Sequence, residues 1–212
     1  MCWNERVSLN TYIVALFGTV FGIMNGMPIN VLIWLHTFSS MQLVEYFIWK
    51  NLNEPYWNQF FSFIGLLVIV LEPVASIFLM KAGSLRNSIL AAYAVFILSI
   101  LYVYYPWNTY TTVAKNRHLY WKWWPQIQNK LLLYIVCFTW IIFFFFPILI
   151  AKYYILAALT MGTIIITMVT FTISNSWGSM WCWIANGVWL FVIGYIAADK
   201  CFENLLCKKK ND

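Results

Sequence analysis

Charged residues are scarce in this sequence, and their scarcity excludes an ordinary soluble fold. Only 9% of the 212 residues are charged, whereas 63% are hydrophobic and 20% are aromatic. A soluble domain carries about 25% charged residues, and a monomer of this size could not bury so much apolar surface inside itself. The sequence therefore predicts an integral membrane protein. The net charge of +6 does not indicate nucleic-acid binding, because the basic residues are scattered between apolar runs.

Motifs for catalysis and for cofactor binding are also missing. Two histidines, His36 and His118, are too few for a zinc hydrolase, and no His-Glu-x-x-His motif is present. Gly178-Ser179 lacks the nucleophile elbow of serine hydrolases, and there is no glycine-rich phosphate loop. We therefore expect no cofactor and no metal. An intramembrane enzyme is the least favoured class, because no nucleophile–base pair is visible.

Cysteines are few, and their number is odd, which argues against a disulfide framework. Cys137 and Cys182 lie within apolar runs, where cysteine usually serves as a packing residue. Cys201 and Cys207 lie beside lysines just beyond the last apolar run. At that position S-palmitoylation is a candidate modification.

Long apolar runs are what the sequence has in abundance. A spanning helix needs about 20 mainly apolar residues. The run 131–173 holds one charge, Lys152, and is too long for a single crossing, so we expect Pro147 and Lys152 to divide it. The predicted spans are 9–27, 29–49, 59–80, 88–105, 131–147, 152–173 and 179–198, followed by a basic tail at 199–212.

The loop 106–130 between the fourth and fifth spans has the composition of a β-hairpin. Residues 109–113 and 118–123 are β-branched or aromatic and flank a polar turn at residues 115–117. Tryptophan and tyrosine collect at the headgroup level of membranes. We therefore predict an all-α bundle of seven spanning helices with a short aromatic hairpin at the membrane surface. A binding surface is the alternative interpretation of the hairpin. Its interfacial aromatic residues are Trp107, Tyr120, Trp121, Trp123 and Trp124.

The basic residues indicate on which side of the membrane each terminus lies. Seven spans place the two termini on opposite sides, and the basic residues divide almost evenly between those sides. The densest basic cluster is 208–210, near the C-terminus. Because basic residues are enriched in cytoplasmic segments, we expect a cytosolic C-terminus.

Polar residues inside the spans form the candidate site. Gln42 and Glu45 share a face of the second span, and Glu72 lies directly before Pro73, which loosens the third. A charge at mid-bilayer costs about 2.5–3.5 kcal/mol, so a neutral acid bonded to a neighbour is the cheaper state. Either the acids are functional, or they are structural clamps to Gln42, to Asn186 or to a carbonyl freed by Pro73. The predicted polar site comprises Glu45, Glu72, Gln42, Asn175, Ser179 and Asn186.

Three stretches of the chain carry a resemblance to a family. They are MQLVEYFIWKN in the second span, the Glu72-Pro73 step, and GSMWCWIAN at the start of the seventh span. With them the chain resembles a loosely defined family of uncharacterised seven-helix membrane proteins from giant DNA viruses, algae and protists. Its members often have Gln in place of Glu72, and an amide hydrogen-bonds without titrating. The resemblance implies an architecture and a viral source, and no activity is assigned to the family.

The leading interpretation is a small transporter or channel-like protein. Spans two, three and seven would surround the polar residues, and protonation or cation binding at Glu72 would change the packing around Pro73, as at the broken helices of transporters. Protons, cations or a small solute are the expected ligands. The alternative is a non-catalytic membrane scaffold or docking protein. In either case membrane lipids are partners, and the membrane is viral or a host endomembrane.

Overall fold

The computed structural model describes the backbone of residues 4–104, 109–122 and 129–208, and the side chains of 4–103, 109–122, 129 and 131–198. Two antiparallel strands lie between the fourth and fifth helices, as predicted. The strands are β1 (Tyr110–Val113) and β2 (Leu119–Lys122). The helices are α1 (Glu5–Met24), α2 (Ile29–Lys50), α3 (Pro55–Ile77), α4 (Ser84–Tyr104), α5 (Lys130–Ile150), α6 (Tyr154–Phe171), α7 (Trp177–Ala185) and α8 (Gly187–Lys208).

Seven helical segments of the described chain are long and apolar enough to cross a membrane. The helices α7 and α8 form one of these segments, Trp177–Ala198, because only a short break at Asn186 separates them. The prediction of seven spanning helices with a hairpin is therefore confirmed. The backbone of α8 continues to Lys208, past the expected end of the last span at 198.

Helices α1, α3 and α4 begin four residues earlier than the hydropathy pattern indicates, and local chemistry explains the first two of these starts. The first helix starts at Glu5 because Asn4 caps it, accepting a hydrogen bond from the Val7 N–H at 3.0 Å. The third starts at Pro55, and proline is favoured at the first position of a helix, where its missing N–H is not needed. Local capping, rather than apolarity, sets both boundaries.

The turn between α5 and α6 lies at Lys152. Helix α5 continues through Pro147 to Ile150, since a proline near the helix end removes only one hydrogen bond. The Tyr153 N–H then donates to the Ile148 carbonyl at 3.2 Å, and Lys152 adopts a left-handed φ of 66°. This is the Schellman arrangement, which ends a helix while satisfying its last carbonyls. The long apolar run is thus two helices.

The central helix of the bundle is α2, which packs against α1, α3 and α7. Helix α3 also contacts α4, α5 and β1, and α8 packs on α1. Helix α4 lies at the periphery: of its described side chains, only Tyr93 and Ile97 are buried. The apolar side chains that α4 exposes, such as Leu98 and Val103, are suited to contact with lipid.

Four buried or half-buried tryptophans connect pairs of helices. Each packs its ring in the core and donates its indole N–H to a polar atom on a neighbouring helix. Such bonds satisfy polar groups in a region where water is absent. The bonds run from Trp34 to Ser76 Oγ (2.9 Å), from Trp140 to the Ile69 carbonyl (2.9 Å), from Trp181 to Thr163 Oγ1 (3.1 Å) and from Trp189 to Ser39 Oγ (2.7 Å).

Two tryptophan rings, those of Trp189 and Trp121, pack directly on glycines. A Cβ atom on Gly18 of α1 would lie 2.5 Å from the Trp189 ring of α8. A Cβ atom on Gly178 of α7 would lie 2.9 Å from the Trp121 ring of β2. No larger residue fits at either position without displacing the ring, which is how small residues allow close packing between membrane helices.

The hairpin is joined to the bundle by a side chain of α3. Strand β1 pairs with β2 in the register Thr111↔Trp121, and Arg117 takes the left-handed position of the turn with φ 64°. The Asn58 side chain on α3 donates to the Thr111 carbonyl and accepts from the Thr111 N–H, both at 2.9 Å. Asn58 therefore pairs with β1 as a neighbouring strand would.

A second link fixes the turn of the hairpin. The Asn116 side chain amide donates to Ser174 Oγ and to Ser176 Oγ, each at 2.8 Å, in the connection between α6 and α7. Asn58 and Asn116 thus hold opposite ends of the hairpin against two different parts of the bundle. The hairpin is a packed element of the fold.

We expect Asn58→Ala to release β1 from α3. Both backbone groups of Thr111 would lose buried partners, which costs about 1–3 kcal/mol of unfolding free energy. Hydrogen exchange at the Thr111 amide, measured in detergent micelles, should accelerate. The control is Asn51→Ala, which removes an exposed bond to the Phe47 carbonyl and should leave exchange at Thr111 unchanged. Equal exchange in both variants would contradict the anchoring role.

Candidate functional site

The six predicted polar residues do not come together as one site in the bundle. Gln42 and Glu45 are together on α2, where Gln42 Nε2 donates to Glu45 Oε2 at 3.0 Å. Both side chains are fully buried, and Glu45 has further interactions with its neighbours. This pair fits the clamp interpretation, in which a buried acid is held by an amide of its own helix.

Glu72 is also fully buried, and its surroundings are different. Neither of its carboxyl oxygens has a hydrogen-bond partner among the described residues. Tyr93 on α4 is close enough for an electrostatic interaction with it. Glu45 lies five residues before the end of α2 and Glu72 seventeen after the start of α3, which places them about 18 Å apart along the bundle axis. The two acids do not form one site.

Pro73 interrupts the hydrogen bonding of α3, and two neighbouring helices supply donors at the interruption. A proline has no N–H to give to the carbonyl four residues earlier, which here belongs to Ile69. The Trp140 indole N–H of α5 donates to that carbonyl at 2.9 Å. The Tyr93 hydroxyl of α4 donates to the adjacent Val70 carbonyl at 2.7 Å. The carbonyl freed by Pro73 is thus bound by tryptophan.

The other three predicted residues lie in or near the last span. Asn186 ends α7, where its side chain donates to the Cys182 carbonyl at 2.6 Å. Asn175 is exposed in the connection before α7 and has a left-handed φ of 56°, a conformation that asparagine tolerates. Ser179 is buried on α7 and lines a cavity.

That cavity, which we call the α3–α7 cavity, has a volume of about 380 Å³. Leu66, Ile69 and Val70 of α3 form one wall. Trp140 and Trp181, whose rings meet edge to face at 5.8 Å, also line it. The remaining lining residues are Phe96, Ile97, Ile100, Leu119, Tyr120, Trp121, Lys122, Leu133, Val136, Cys137, Ile141, Ile164, Asn175, Trp177, Gly178 and Ser179.

Among the described residues that line the α3–α7 cavity, the polar side chains come from one end. Tyr120 and Lys122 come from β2, and Asn175 and Ser179 come from the α6–α7 connection and the start of α7. Both elements lie at the end of the bundle where α1 begins, because each connection reverses the chain. We call this end the N-terminal side. The cavity wall formed by α3, α4 and α5 is almost entirely apolar.

A second, more open groove of about 460 Å³ lies among α1, α2 and α3. His36 lines it, with Nδ1 3.1 Å from the Thr19 hydroxyl and its ring against Tyr12.

An enzyme would need a histidine or an acid beside Ser179 or Cys182. His36 and Ser179 line different cavities, so this structure does not pair them.

Sequence reasoning missed the cavity and most of its residues. Trp140 and Cys137 lie in the most apolar run of the chain, where neither polarity nor spacing marks a site. One signal was available: Trp140 lies inside an apolar span, and an indole needs a hydrogen-bond partner when it is buried. The partner is a main-chain carbonyl on another helix, and every residue type has such a carbonyl, so the sequence does not identify it.

Some of the predicted residues lie in parts of the chain that the structure does not describe. The side chains of Cys201 and Cys207, the candidate lipidation sites, are outside the described residues, as are Trp107, Trp123 and Trp124. Within the described residues, no group of three or more His, Cys, Asp or Glu side chains could hold a metal ion.

Comparison with family models, with curated proteins and with solved structures finds no match to this chain. The similarity to seven-helix proteins of giant viruses, algae and protists therefore stays a prediction.

We expect Trp140→Phe to destabilise the protein through the Ile69 carbonyl. Phenylalanine keeps most of the ring packing but leaves this buried acceptor unpaired, at a cost of about 1–3 kcal/mol. In a Pro73→Ala background the new backbone N–H at residue 73 can bond the same carbonyl. The cost of Trp140→Phe, measured as unfolding free energy in mixed micelles, should then fall. Equal costs in both backgrounds would rule out this role.

Replacing Glu72 tests whether its carboxyl group has hydrogen-bond partners that stabilise the fold. Glu72→Leu removes a buried polar group that lacks a hydrogen bond and should raise the unfolding free energy by about 1–3 kcal/mol. Glu72→Gln keeps the shape and a polar group, and should change stability much less. If leucine destabilises the protein more than glutamine does, the carboxyl has partners that stabilise the fold.

Proposed function

We propose that the protein is a small membrane carrier that binds an apolar or amphiphilic solute in the α3–α7 cavity. The observation that carries the proposal is the cavity itself. Ligand sites are usually concave and mostly apolar, with a few polar groups, and have volumes of about 300–1,000 Å³. The cavity of about 380 Å³ lies in that range and has its polar groups at one end.

The lost hydrogen bond in α3 lies at the cavity and favours a carrier over a static binding protein. Ile69 and Val70 line the cavity, and their carbonyls are the ones at Pro73, while α3 itself remains one helix from Pro55 to Ile77. A proline inside a helix is a common site of bending. In transporters, helices interrupted near the membrane midplane form the substrate site and take part in its opening.

Conduction of protons or cations through a shared acidic site has less support. Ion pathways are lined by continuous polar or charged groups, whereas Glu45 and Glu72 lie about 18 Å apart along the axis. Neither acid lines the α3–α7 cavity or the groove beside His36. A single proton bound at Glu72 remains compatible with the carrier proposal, since that carboxyl lies directly before Pro73.

A non-catalytic membrane scaffold, viral or host, is the second candidate function. The dense aromatic core favours it: Phe144 packs on Trp34 at 6.0 Å and on Trp140 at 5.3 Å between ring centroids. A bundle packed in this way could serve as a rigid platform without binding any solute. The cytosolic C-terminus and the identity of the membrane stay predictions under either function.

Photo-crosslinking with a neutral probe tests the carrier proposal. The full-length protein in phosphatidylcholine nanodiscs is irradiated with a diazirine derivative of hexadecanol, and the modified residues are mapped by mass spectrometry. We expect modification of α5 residues that line the cavity, such as Cys137 and Ile141. Val136→Phe, which adds a ring to the cavity wall, should lower this labelling about tenfold, or 1.4 kcal/mol of binding free energy.

The matched control is Ile135→Phe. Ile135 is the preceding residue, is 52% exposed and does not line the cavity, so the added ring should leave the labelling unchanged. Equal effects of the two substitutions, or labelling confined to the exposed faces of the helices, would reject the carrier proposal and favour the scaffold.

A further inference from the structure

A lysine, Lys122, lies at the polar end of the α3–α7 cavity. Lys122 is the one residue with a full charge among the described residues that line the α3–α7 cavity. It is the last residue of β2, on the N-terminal side of the bundle. The remaining polar groups at that end, from Tyr120, Asn175 and Ser179, are uncharged.

The Lys122 ammonium lies beside two tyrosine rings of the hairpin. It lies 5.0 Å from the centre of the Tyr110 ring and 5.6 Å from that of Tyr120. Tyr110 is its direct partner across the hairpin, in the register Tyr110↔Lys122. Cation–π contacts orient an ammonium without neutralising its charge. No carboxylate is among the described residues that line the cavity.

The hairpin that carries Lys122 is fixed to the bundle. Asn58 bonds both backbone groups of Thr111 on β1, and Trp121 packs on Gly178 of α7. The charge is therefore positioned relative to the apolar wall by the same contacts that hold the hairpin. A fixed cation beside an apolar cavity is complementary to a molecule with one anionic end and one apolar end.

We propose that the solute of the α3–α7 cavity is a single-chain anionic amphiphile, a long-chain carboxylate. Its acyl chain lies along the apolar wall of α3, α4 and α5, and its head group contacts Lys122 at the N-terminal side. The inference rests on the carrier proposal and specifies the class of solute.

Competition at fixed chain length tests the head-group assignment. Labelling by the diazirine hexadecanol is measured in nanodiscs at alkaline pH, where a carboxyl is ionised, with unlabelled hexadecanoate, hexadecanol or hexadecylamine as competitor. We expect hexadecanoate to compete about tenfold better than hexadecanol, a difference of 1.4 kcal/mol. Hexadecylamine should compete least well.

Two variants distinguish the effect of the Lys122 charge on binding from the effect of packing in the cavity. Lys122→Gln should remove the advantage of hexadecanoate while competition by hexadecanol stays as it is. Lys115→Gln is the control, because Lys115 lies in the turn of the same hairpin and does not line the cavity. It should preserve the preference for the carboxylate.

The possible outcomes distinguish the two proposals. Specific cavity labelling with equal competition by all three compounds overturns the anionic assignment and leaves the carrier proposal standing. An equal loss of preference in Lys122→Gln and Lys115→Gln assigns the effect to general surface charge and also overturns it. Absence of cavity labelling by the neutral probe overturns both proposals.

Discussion

The fold depends on one constraint: inside a bilayer, each polar group of the bundle needs its partner within the protein. The indole N–H is well suited to that constraint, because tryptophan brings a large apolar ring together with a single donor. Trp34, Trp140, Trp181 and Trp189 each use the donor to reach a neighbouring helix. Rings fill the space between helices, and N–H groups fix which helices meet.

The same constraint explains how α3 tolerates Pro73. An interrupted helix leaves a carbonyl without its donor, and hydrocarbon cannot replace it. Trp140 supplies the bond to Ile69 and also lines the α3–α7 cavity, while Tyr93 bonds the next carbonyl from α4. The helix interruption and the cavity are therefore parts of one arrangement. A change in how α3 is bonded at Pro73 would alter the cavity wall directly.

Hydropathy and turn chemistry were sufficient to predict the seven spans and the hairpin, because both are local properties of the chain. The turn between α5 and α6 at Lys152 was predictable for a local reason as well, because Lys152 is the one charged residue in that apolar run. The polar site was harder to predict, since spacing shows which residues share a face of one helix but not which helix that face meets. Gln42 and Glu45 share a face and are hydrogen-bonded within α2, whereas Glu72 lies far from them. Trp121 was assigned to the headgroup level from its type alone, and only the fold shows that it packs on Gly178.

The distribution of charge also distinguishes the proposed carrier from an ion pathway. A pathway for ions must offer polar groups along its length, but the described cavity is polar at one end and apolar elsewhere. An amphiphile has the same asymmetry, and it already lies in the membrane with its head at the surface and its chain in the interior. Entry into such a cavity would exchange lipid contacts for protein contacts, with little change in apolar burial. Selectivity would then come mainly from the head group, which is why a single fixed charge such as Lys122 can decide which solute is bound.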